Sequence, residues 1–485
     1  MKFPVLLRVS LLLLPSPGLA AKPTDYLEKC WQQQGAGLKD KYAAFSYRET
    51  TNELEHKQYP WQATTYDKKG TAWLSGQRFL RQDTLTQGTK TYYSRTQVGA
   101  GEVLFQDYGE KDVAPATPER LAAQLVSSAR YSPVLLLGYL REHHAHAEAT
   151  APAGLAAYRT TLPGAQVTVL IRKADQLVER VQVLSHDELF GDVLTTFTYQ
   201  DYTPSRPLRF ARTVAVAKIN GKVLDTVTVR NVTAVAAAPG LLERPAGYQV
   251  AAVKPPLPMS TLEHFRPNLH LLNLAHTDDR VLIVEFRDFL VVAEAPLSSE
   301  NGEYIIQQAR KIAPSKPIKY FVFGHYHPHY LGGLRAFVAQ GATILGGPGT
   351  ADYARYLAGA PHTLQPDSLQ RRPRPLAFEE VTTSKTITDG QFTMQIHCIG
   401  QQSAHTNDYL IYYFPSEKLL FEDDLVWIKR EGGPRKASAR QAGLYQALQA
   451  LKLPVETVVQ SWPVADYGVK TVIPFAELEQ AMQVK

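Results

Sequence analysis

Cysteine is scarce in this chain, which has two among 485 residues, Cys30 and Cys398. Cysteine zinc sites need several thiolates at short spacing, and neither residue has a second cysteine near it. The sequence therefore excludes a cysteine-based metal site. Pairing of the two in an oxidising compartment stays open, because sequence alone gives no distance between them, and we expect a structural or unpaired role.

A strong excess of charge of one sign is also lacking. The formal net charge is +6, and the lysines and arginines are scattered along the chain rather than gathered in one stripe. This excludes the electrostatic pattern of a nucleic-acid-binding protein, so we expect no nucleic-acid partner. A hydrophobic content of 44% over 485 residues is enough for two or three cores, which predicts more than one domain.

Long apolar runs are missing, and the one near the start of the chain is short. Lys2 and Arg8 precede this run, a proline- and glycine-containing breaker follows it, and small residues surround Ala20. This order is typical of a secretory signal peptide over residues 1–20, cleaved near Ala20. The run is too short to span a bilayer, so we expect a periplasmic or secreted protein with no transmembrane segment after cleavage.

Residues 21–253 have a mostly β pattern with a helical insert. Asn220 and Gly221 separate two strand-like runs and predict a hairpin turn. A helix interrupts the strands, with a capping pair followed by apolar residues at four-residue spacing: Thr117, Pro118, Leu121, Leu125 and Ala129. Coarsely, this half resembles the curved antiparallel sheets with a helical insert of periplasmic lipoprotein-carrier proteins, a likeness of pattern without a motif.

Proline marks the boundary between two halves. Pro255, Pro256 and Pro258 interrupt regular structure and predict a stiff linker at residues 254–262. After it, strand and helix patterns alternate, which indicates an α/β domain over residues 263–485.

Three of the 14 histidines occur within five positions, at His325, His327 and His329. They follow an apolar strand-like run and precede the pair Gly332 and Gly333. Imidazole is the commonest side-chain ligand of zinc, and a loop at a strand end can direct several imidazoles at one point. The pattern predicts a metal site in this loop.

This segment resembles the His-x-His-x-Asp-His-x-Gly-Gly signature of the metallo-β-lactamase-fold hydrolases. His325 and His327 match the first two histidines, and the glycine pair matches as well. His329 stands where the family has Asp, and Tyr330 stands where it has the next His. The resemblance covers roughly residues 265–465 and implies an αββα sandwich, so the whole chain is predicted to be an α+β protein.

Later segments extend the resemblance. The turn at His405 is similar to the family's Gly-His-Thr-x-Asp turn, which implies that His405 is the third imidazole and Asp408 a supporting carboxylate. A second segment resembles Leu-Phe-x-Gly-Asp-Leu, which places Asp424 on the family's metal-bridging Asp and Asp423 on its Gly. Trp462 stands where the family has its final His.

The resemblance implies one zinc ion rather than two. The first site keeps His325, His327 and His405, with Asp424 able to reach it, and three imidazoles with an open position are the composition of a catalytic zinc centre. The second site retains Asp424 and, at most, His329. We therefore predict one tightly held zinc, either as a mononuclear site or with a weak second position.

Two functions from different classes follow. The first is an exported zinc-dependent hydrolase of an unidentified small molecule, in which Asp424 supports the metal, His329 accepts a proton and Tyr330 donates a hydrogen bond to developing negative charge. The alternative is a non-catalytic binding protein of the same fold with a decayed metal site, since a fold does not guarantee its chemistry. A third hypothesis, in which the β-rich first half binds a ligand, is supported by no sequence motif. Nothing in the sequence indicates the substrate or the oligomeric state.

Overall fold

The computed structural model describes residues 25–484, with gaps at 55–56, 76–77, 88, 99–101, 107–111, 205–207, 238–246, 248 and 251–259. The predicted signal peptide and the proline-rich part of the predicted linker lie outside the described residues. None of the described helices is long and apolar enough to cross a membrane.

One large sheet forms the first half. Its described strands are β1 (Tyr42–Leu54), β2 (Ala63–Leu74), β3 (Phe79–Gln87), β4 (Lys90–Val98), β5 (Glu102–Gln106), β6 (Asp112–Pro115), β7 (Leu155–Leu162), β8 (Ala165–Arg172), β9 (Val178–Asp187), β10 (Gly191–Tyr202), β11 (Ala211–Lys218), β12 (Val223–Val235) and β13 (Gln249–Val250). Their order is β13-β6-β5-β4-β3-β2-β1-β12-β11-β10-β9-β8-β7. The chain thus makes two antiparallel meanders, joined where β1 pairs with β12.

Helices cover one face of this sheet. They are α1 (Tyr26–Gln34), α2 (Pro118–Ser128) and α3 (Val134–Glu142), and their apolar side chains share one core with the sheet. Thr117 caps α2 and Pro118 occupies its first turn, as the sequence predicts. Leu125 and Ala129 are buried, but Leu121 is 40% exposed. The four-residue spacing therefore predicts one more buried residue than the structure has. The likeness to lipoprotein carriers stays a prediction.

Two further sheets form the second half. The first contains β14 (Thr261–Arg266), β15 (Leu269–Leu274), β16 (Asp279–Glu285), β17 (Leu290–Ala293), β18 (Ile318–Val322), β19 (Thr343–Gly346) and β20 (Phe378–Glu380), paired in that order. The second contains β21 (Ser384–Thr388), β22 (Thr393–Cys398), β23 (Leu410–Phe414), β24 (Leu419–Glu422), β25 (Thr457–Gln460) and β26 (Val472–Pro474), also in order. Strands β17 to β20 run parallel, as do β24 and β25.

The second half is layered as helix, sheet, sheet, helix. Its helices are α4 (Ser299–Ile312), α5 (Pro328–Leu331), α6 (Leu334–Gln340), α7 (Ala351–Gly359), α8 (Ser368–Arg371), α9 (Ala439–Leu451) and α10 (Phe475–Gln483). One core lies between the two sheets, a second joins the β14–β20 sheet to α4, α6 and α7, and a third joins the β21–β26 sheet to α9 and α10. Strands in such a sandwich are covered on both faces, which explains their continuous apolar runs.

The two halves interlock through hairpins of the first. Leu189, Phe190 and Val193, around the β9–β10 turn, belong to the same core as α4, α6 and α7. Asp192 accepts hydrogen bonds from the backbone N–H groups of Thr363 (2.7 Å) and Leu364 (3.1 Å). The predicted boundaries at residues 253 and 263 stay a prediction, and these contacts indicate that the second half depends on the first for part of its core.

This interface contains a histidine that we expect to make stability depend on pH. Burial, followed by the positive charge of Arg335, lowers the pKa of His362 to about 4. In the unfolded chain its pKa returns to roughly 6.5, so between pH 6.5 and 4 the unfolded state binds the extra proton. Stability contributed by neutral His362 is therefore full at neutral pH and is lost as pH falls through this window.

The midpoint temperature of thermal unfolding should fall as the pH is lowered from 7.5 to 4. It should fall less steeply with pH in a His362→Gln variant. A wild-type slope that the substitution leaves unchanged would contradict this assignment.

Candidate metal centre

Strand β18 ends at Val322 and delivers two histidines to the edge of the sandwich. His327 has extended backbone and Pro328 starts the short helix α5 directly after it, so the chain turns sharply beyond the second imidazole. The glycine pair lets this helix approach its neighbours. A Cβ at Gly332 would overlap the backbone of Leu297, and one at Gly333 would lie 2.8 Å from Ala295 Cβ. The Gly-Gly pair is thus a packing requirement of the loop.

His405 comes from the loop before β23. A 3₁₀ turn at Gly400–Ser403 ends with Ala404 in the left-handed conformation (φ 52°). The Ser403 hydroxyl then accepts a hydrogen bond from the His405 backbone N–H (3.1 Å) and donates one to the Thr406 carbonyl (3.1 Å). These bonds fix the direction in which His405 leaves the turn.

The three predicted imidazoles converge. One ring nitrogen from each of His325, His327 and His405 lies within 4.8 Å of the other two. His325 is 0% exposed and His327 2%, and the His405 side chain is 5% exposed. Histidines 80 residues apart in sequence meet because both loops leave the same edge of the two packed sheets.

Hydrogen bonds at the outer nitrogens orient two of the rings. His325 Nδ1 lies 2.6 Å from Asp423 Oδ2, and His327 Nε2 lies 3.2 Å from the backbone carbonyl of Lys57. When these nitrogens donate, the inner nitrogens, His325 Nε2 and His327 Nδ1, carry lone pairs and face each other at 2.9 Å. Two acceptors at this separation need a cation or a proton between them.

The third imidazole supports the same conclusion. His405 Nε2 is buried and lies 3.3 Å from the carboxylate oxygen Asp424 Oδ2. Three imidazoles with a carboxylate beside them are the kind of donor set that binds a divalent metal ion. The donor set therefore fits a metal ion with imidazole ligands.

Asp424 borders the same cluster. Arg440 donates to its Oδ2 (3.0 Å), and the Tyr409 hydroxyl lies 3.2 Å from its Oδ1. Burial acts to raise the pKa of Asp424, but His405 and Arg440 outweigh it and hold the pKa below the ordinary value. The carboxylate is anionic and fixed in place next to the three histidines.

Two buried acids behind His325 were not among the site residues predicted from the sequence. Asp423 and Glu294 are both fully buried, and Glu294 accepts hydrogen bonds from the Gly324 N–H (3.1 Å) and the Tyr412 hydroxyl (2.7 Å). Burial raises the pKa of Glu294 to about 8 and that of Asp423 well above its usual range. Gly324 is required here, because a Cβ would overlap the Asp423 carboxylate.

Tyr409 is a further residue that sequence reasoning missed. Its ring stacks on His325 at a centroid distance of 4.8 Å. Its hydroxyl accepts from the backbone N–H groups of Asp423 and Asp424 (both 3.1 Å) and lies 3.2 Å from Glu422 Oε2. The available signal was a tyrosine that opens an apolar strand next to the His405 turn.

His329 does not join the three-histidine cluster. Its Nδ1 lies 3.0 and 3.1 Å from the two carboxylate oxygens of Asp279, which is fully buried, and its side chain is 31% exposed. The hydrogen bond to Asp279 raises the pKa of His329, and burial of the ring only partly opposes this effect. The sequence signal for this pair was an acidic residue at the start of an apolar run, and in the structure Asp279 is the first residue of β16.

The other predicted positions have different surroundings. Tyr330 is buried, with its ring centroid 4.3 Å from that of His325. Trp462 stacks on Trp427 at 5.2 Å. The acid that contacts His325 from behind is Asp423, with its Oδ2 2.6 Å from Nδ1, rather than Asp408.

Comparison of the sequence with protein-family models and with curated proteins finds no match. Among solved structures, the chain is similar to a metallo-β-lactamase from Pontibacter korlensis, with 18% identity, a TM-score of 0.35, and coverage of 46% of this chain and 97% of the other. The chain is also similar to a Pseudomonas aeruginosa metallo-β-lactamase in its mono-zinc form, with 16% identity and a TM-score of 0.34. This similarity covers 46% of this chain and 93% of the other.

An inverting sec-alkylsulfatase from Pseudomonas sp. is similar at 15% identity and a TM-score of 0.33, over 46% of this chain and 41% of the enzyme. The solved structures that are similar to just under half of this chain thus include metallo-β-lactamases, the family that the motifs resemble.

Proposed function

We propose that this chain is an exported zinc-dependent hydrolase that holds one metal ion at His325, His327 and His405. The observation that carries the proposal is the convergence of three imidazoles, with one ring nitrogen of each within 4.8 Å of the other two and His325 Nε2 2.9 Å from His327 Nδ1. Zinc is favoured because neutral imidazoles are among its preferred ligands and three of them leave one position open. A zinc ion bound there would supply a Lewis acid that activates water and polarises the bond to be cleaved.

The residues around the cluster have complementary roles in this proposal. Asp279 accepts the Nδ1–H of His329, which leaves Nε2 able to accept a proton from the reacting water, and the partial exposure of His329 lets that proton reach solvent. Asp424 stays anionic beside His405 and supports the metal. Tyr330, packed on His325, is proposed to donate a hydrogen bond to negative charge that develops on the substrate.

We expect one tightly bound metal ion per chain. The residues at the second position are engaged elsewhere, His329 with Asp279 and Trp462 with Trp427. Elemental analysis of protein dialysed against metal-free buffer should give about one equivalent of zinc, the composition of a single three-imidazole centre. Two tightly held equivalents would contradict this interpretation of His329, Tyr330 and Trp462.

A non-catalytic binding protein is the second candidate, and the burial of the histidines favours it. With His325 at 0% and His327 at 2% exposure, a substrate must approach through the His405 and Asp424 side or after movement of a covering segment.

A panel of ester, lactam, phosphodiester and sulfate-ester substrates, assayed on zinc-loaded and chelator-treated protein, separates the two functions. Turnover that the chelator abolishes supports the hydrolase, whereas zinc binding with no turnover across the panel supports the binder. Mass spectrometry of the exported protein tests cleavage near Ala20.

A further inference from the structure

A hairpin of the first half reaches the metal centre of the second. The described residues 57–62 form the tip between β1 and β2, here called the hairpin tip. The Lys57 carbonyl accepts a hydrogen bond from the Tyr326 hydroxyl (2.7 Å) and lies 3.2 Å from His327 Nε2. The next carbonyl, that of Gln58, accepts from the backbone N–H of Asn407 (3.2 Å). Consecutive carbonyls of one half thus hold both histidine loops of the other.

Trp61 anchors the hairpin tip by aromatic packing. Its ring stacks on Phe190 at 5.5 Å and meets the edges of Tyr353 at 5.1 Å and Tyr356 at 4.9 Å. The Lys222 ammonium lies 5.2 Å from the same ring. Aromatic pairs at these separations stabilise beyond the area they bury, so this contact fixes where the Lys57 and Gln58 carbonyls lie.

The Lys57 carbonyl can decide which nitrogen of His327 binds a metal. A ring nitrogen that donates a proton to a carbonyl is removed from coordination, and the other nitrogen gains the lone pair. Here the bond at Nε2 directs the lone pair of Nδ1 to the inner side, 2.9 Å from His325 Nε2. Because the acceptor is a backbone carbonyl, its effect depends on the position of the chain rather than on the lysine side chain.

We propose that the hairpin tip is a positioning element of the metal centre, through which the first half sets the metal affinity of the second. The Lys57 carbonyl orients His327, the Gln58 carbonyl holds the loop of His405, and Trp61 keeps both carbonyls in place. This inference rests on the proposed function, because it assumes that His325, His327 and His405 bind the metal.

The test compares three full-length variants with the wild type. Trp61→Ala removes the anchor, and Tyr326→Phe removes one hydroxyl that holds the Lys57 carbonyl while keeping the ring. Tyr356→Phe is the matched control, because its hydroxyl accepts from Asn220 of another hairpin (3.3 Å) and not from the hairpin tip. Zinc affinity is measured by competition with a chromophoric chelator, and the His327 tautomer of the metal-free protein by ¹H–¹⁵N correlation spectroscopy.

Loss of a partner behind a ligand typically weakens metal binding by about 10- to 100-fold, so Trp61→Ala should weaken zinc binding at least about tenfold. Tyr326→Phe should show a smaller loss in the same direction, and both variants should shift His327 away from the Nε2–H tautomer. Tyr356→Phe should match the wild type in both measurements.

Unchanged affinity and tautomer in both test variants would overturn the inference, and so would an equal loss in Tyr356→Phe, which would indicate general loosening of the interface. Should Trp61→Ala fail to fold, Tyr326→Phe decides alone. A wild type that binds no zinc would overturn the proposed function and this inference together. If the wild type binds zinc and the variants have the same zinc affinity and His327 tautomer, only this inference is overturned.

Discussion

Replacing His405 by alanine should remove tight metal binding while leaving the sandwich folded. Removal of a group that only supports a ligand costs about 10- to 100-fold in metal affinity, so loss of one of three ligands should cost more than about 100-fold. At a fixed free zinc concentration that is 100 times the wild-type Kd, the native state then loses about 2.3 to 2.7 kcal/mol of metal-linked stability. Inductively coupled plasma analysis and thermal unfolding with and without zinc measure both effects.

The structure offers a matched control for this change. His397 is a half-buried histidine in β22 that lies outside the three-histidine cluster, with its Nε2 3.4 Å from Gln395 Oε1. His397→Ala should retain the zinc content of the wild type and its zinc-dependent rise in unfolding temperature. A His405→Ala protein with unchanged zinc content would show that the cluster is not the metal site.

The cluster of three histidines was predictable from sequence because its signals are local. Each histidine follows or precedes an apolar strand, and the His-x-His spacing and the turn at His405 lie within a few residues of those strands. Strand ends in a layered fold meet at one edge, so convergence of His325, His327 and His405 follows once the order of strands is known.

The residues that orient those histidines were not predictable in the same way. Asp423 contacts a ring 98 positions away, and Asp279 contacts His329 50 positions away. An acidic residue at a strand end has no local pattern that separates such a contact from a solvated surface. The Lys57 carbonyl is harder still to predict, because every residue carries a backbone carbonyl and only the path of the hairpin places this one beside His327.

Gly324 and Asp423 provide the strongest test of how this site departs from the family pattern. The family signature that this segment resembles has a glycine at the position of Asp423. Here the Asp423 carboxylate fills the space next to Gly324 and lies within hydrogen-bond distance of His325 Nδ1. Gly324→Ala should therefore be severely destabilising, since forcing a methyl group into a packed interior costs roughly 1–3 kcal/mol and the neighbour here is a hydrogen-bonded acid that cannot withdraw freely. Urea unfolding of the metal-free protein measures this loss.

The double variant Gly324→Ala, Asp423→Gly separates packing from ligand orientation. Removing the carboxylate makes room for the new methyl group, so the double variant should be more stable than Gly324→Ala alone, with a coupling of about 0.5–3 kcal/mol between the two sites. It should still bind zinc about 10- to 100-fold more weakly than the wild type, because no carboxylate then holds His325 Nδ1. Additive effects on stability would show that the clash is relieved elsewhere. Wild-type zinc affinity in the double variant would show that Asp423 fills space without orienting His325.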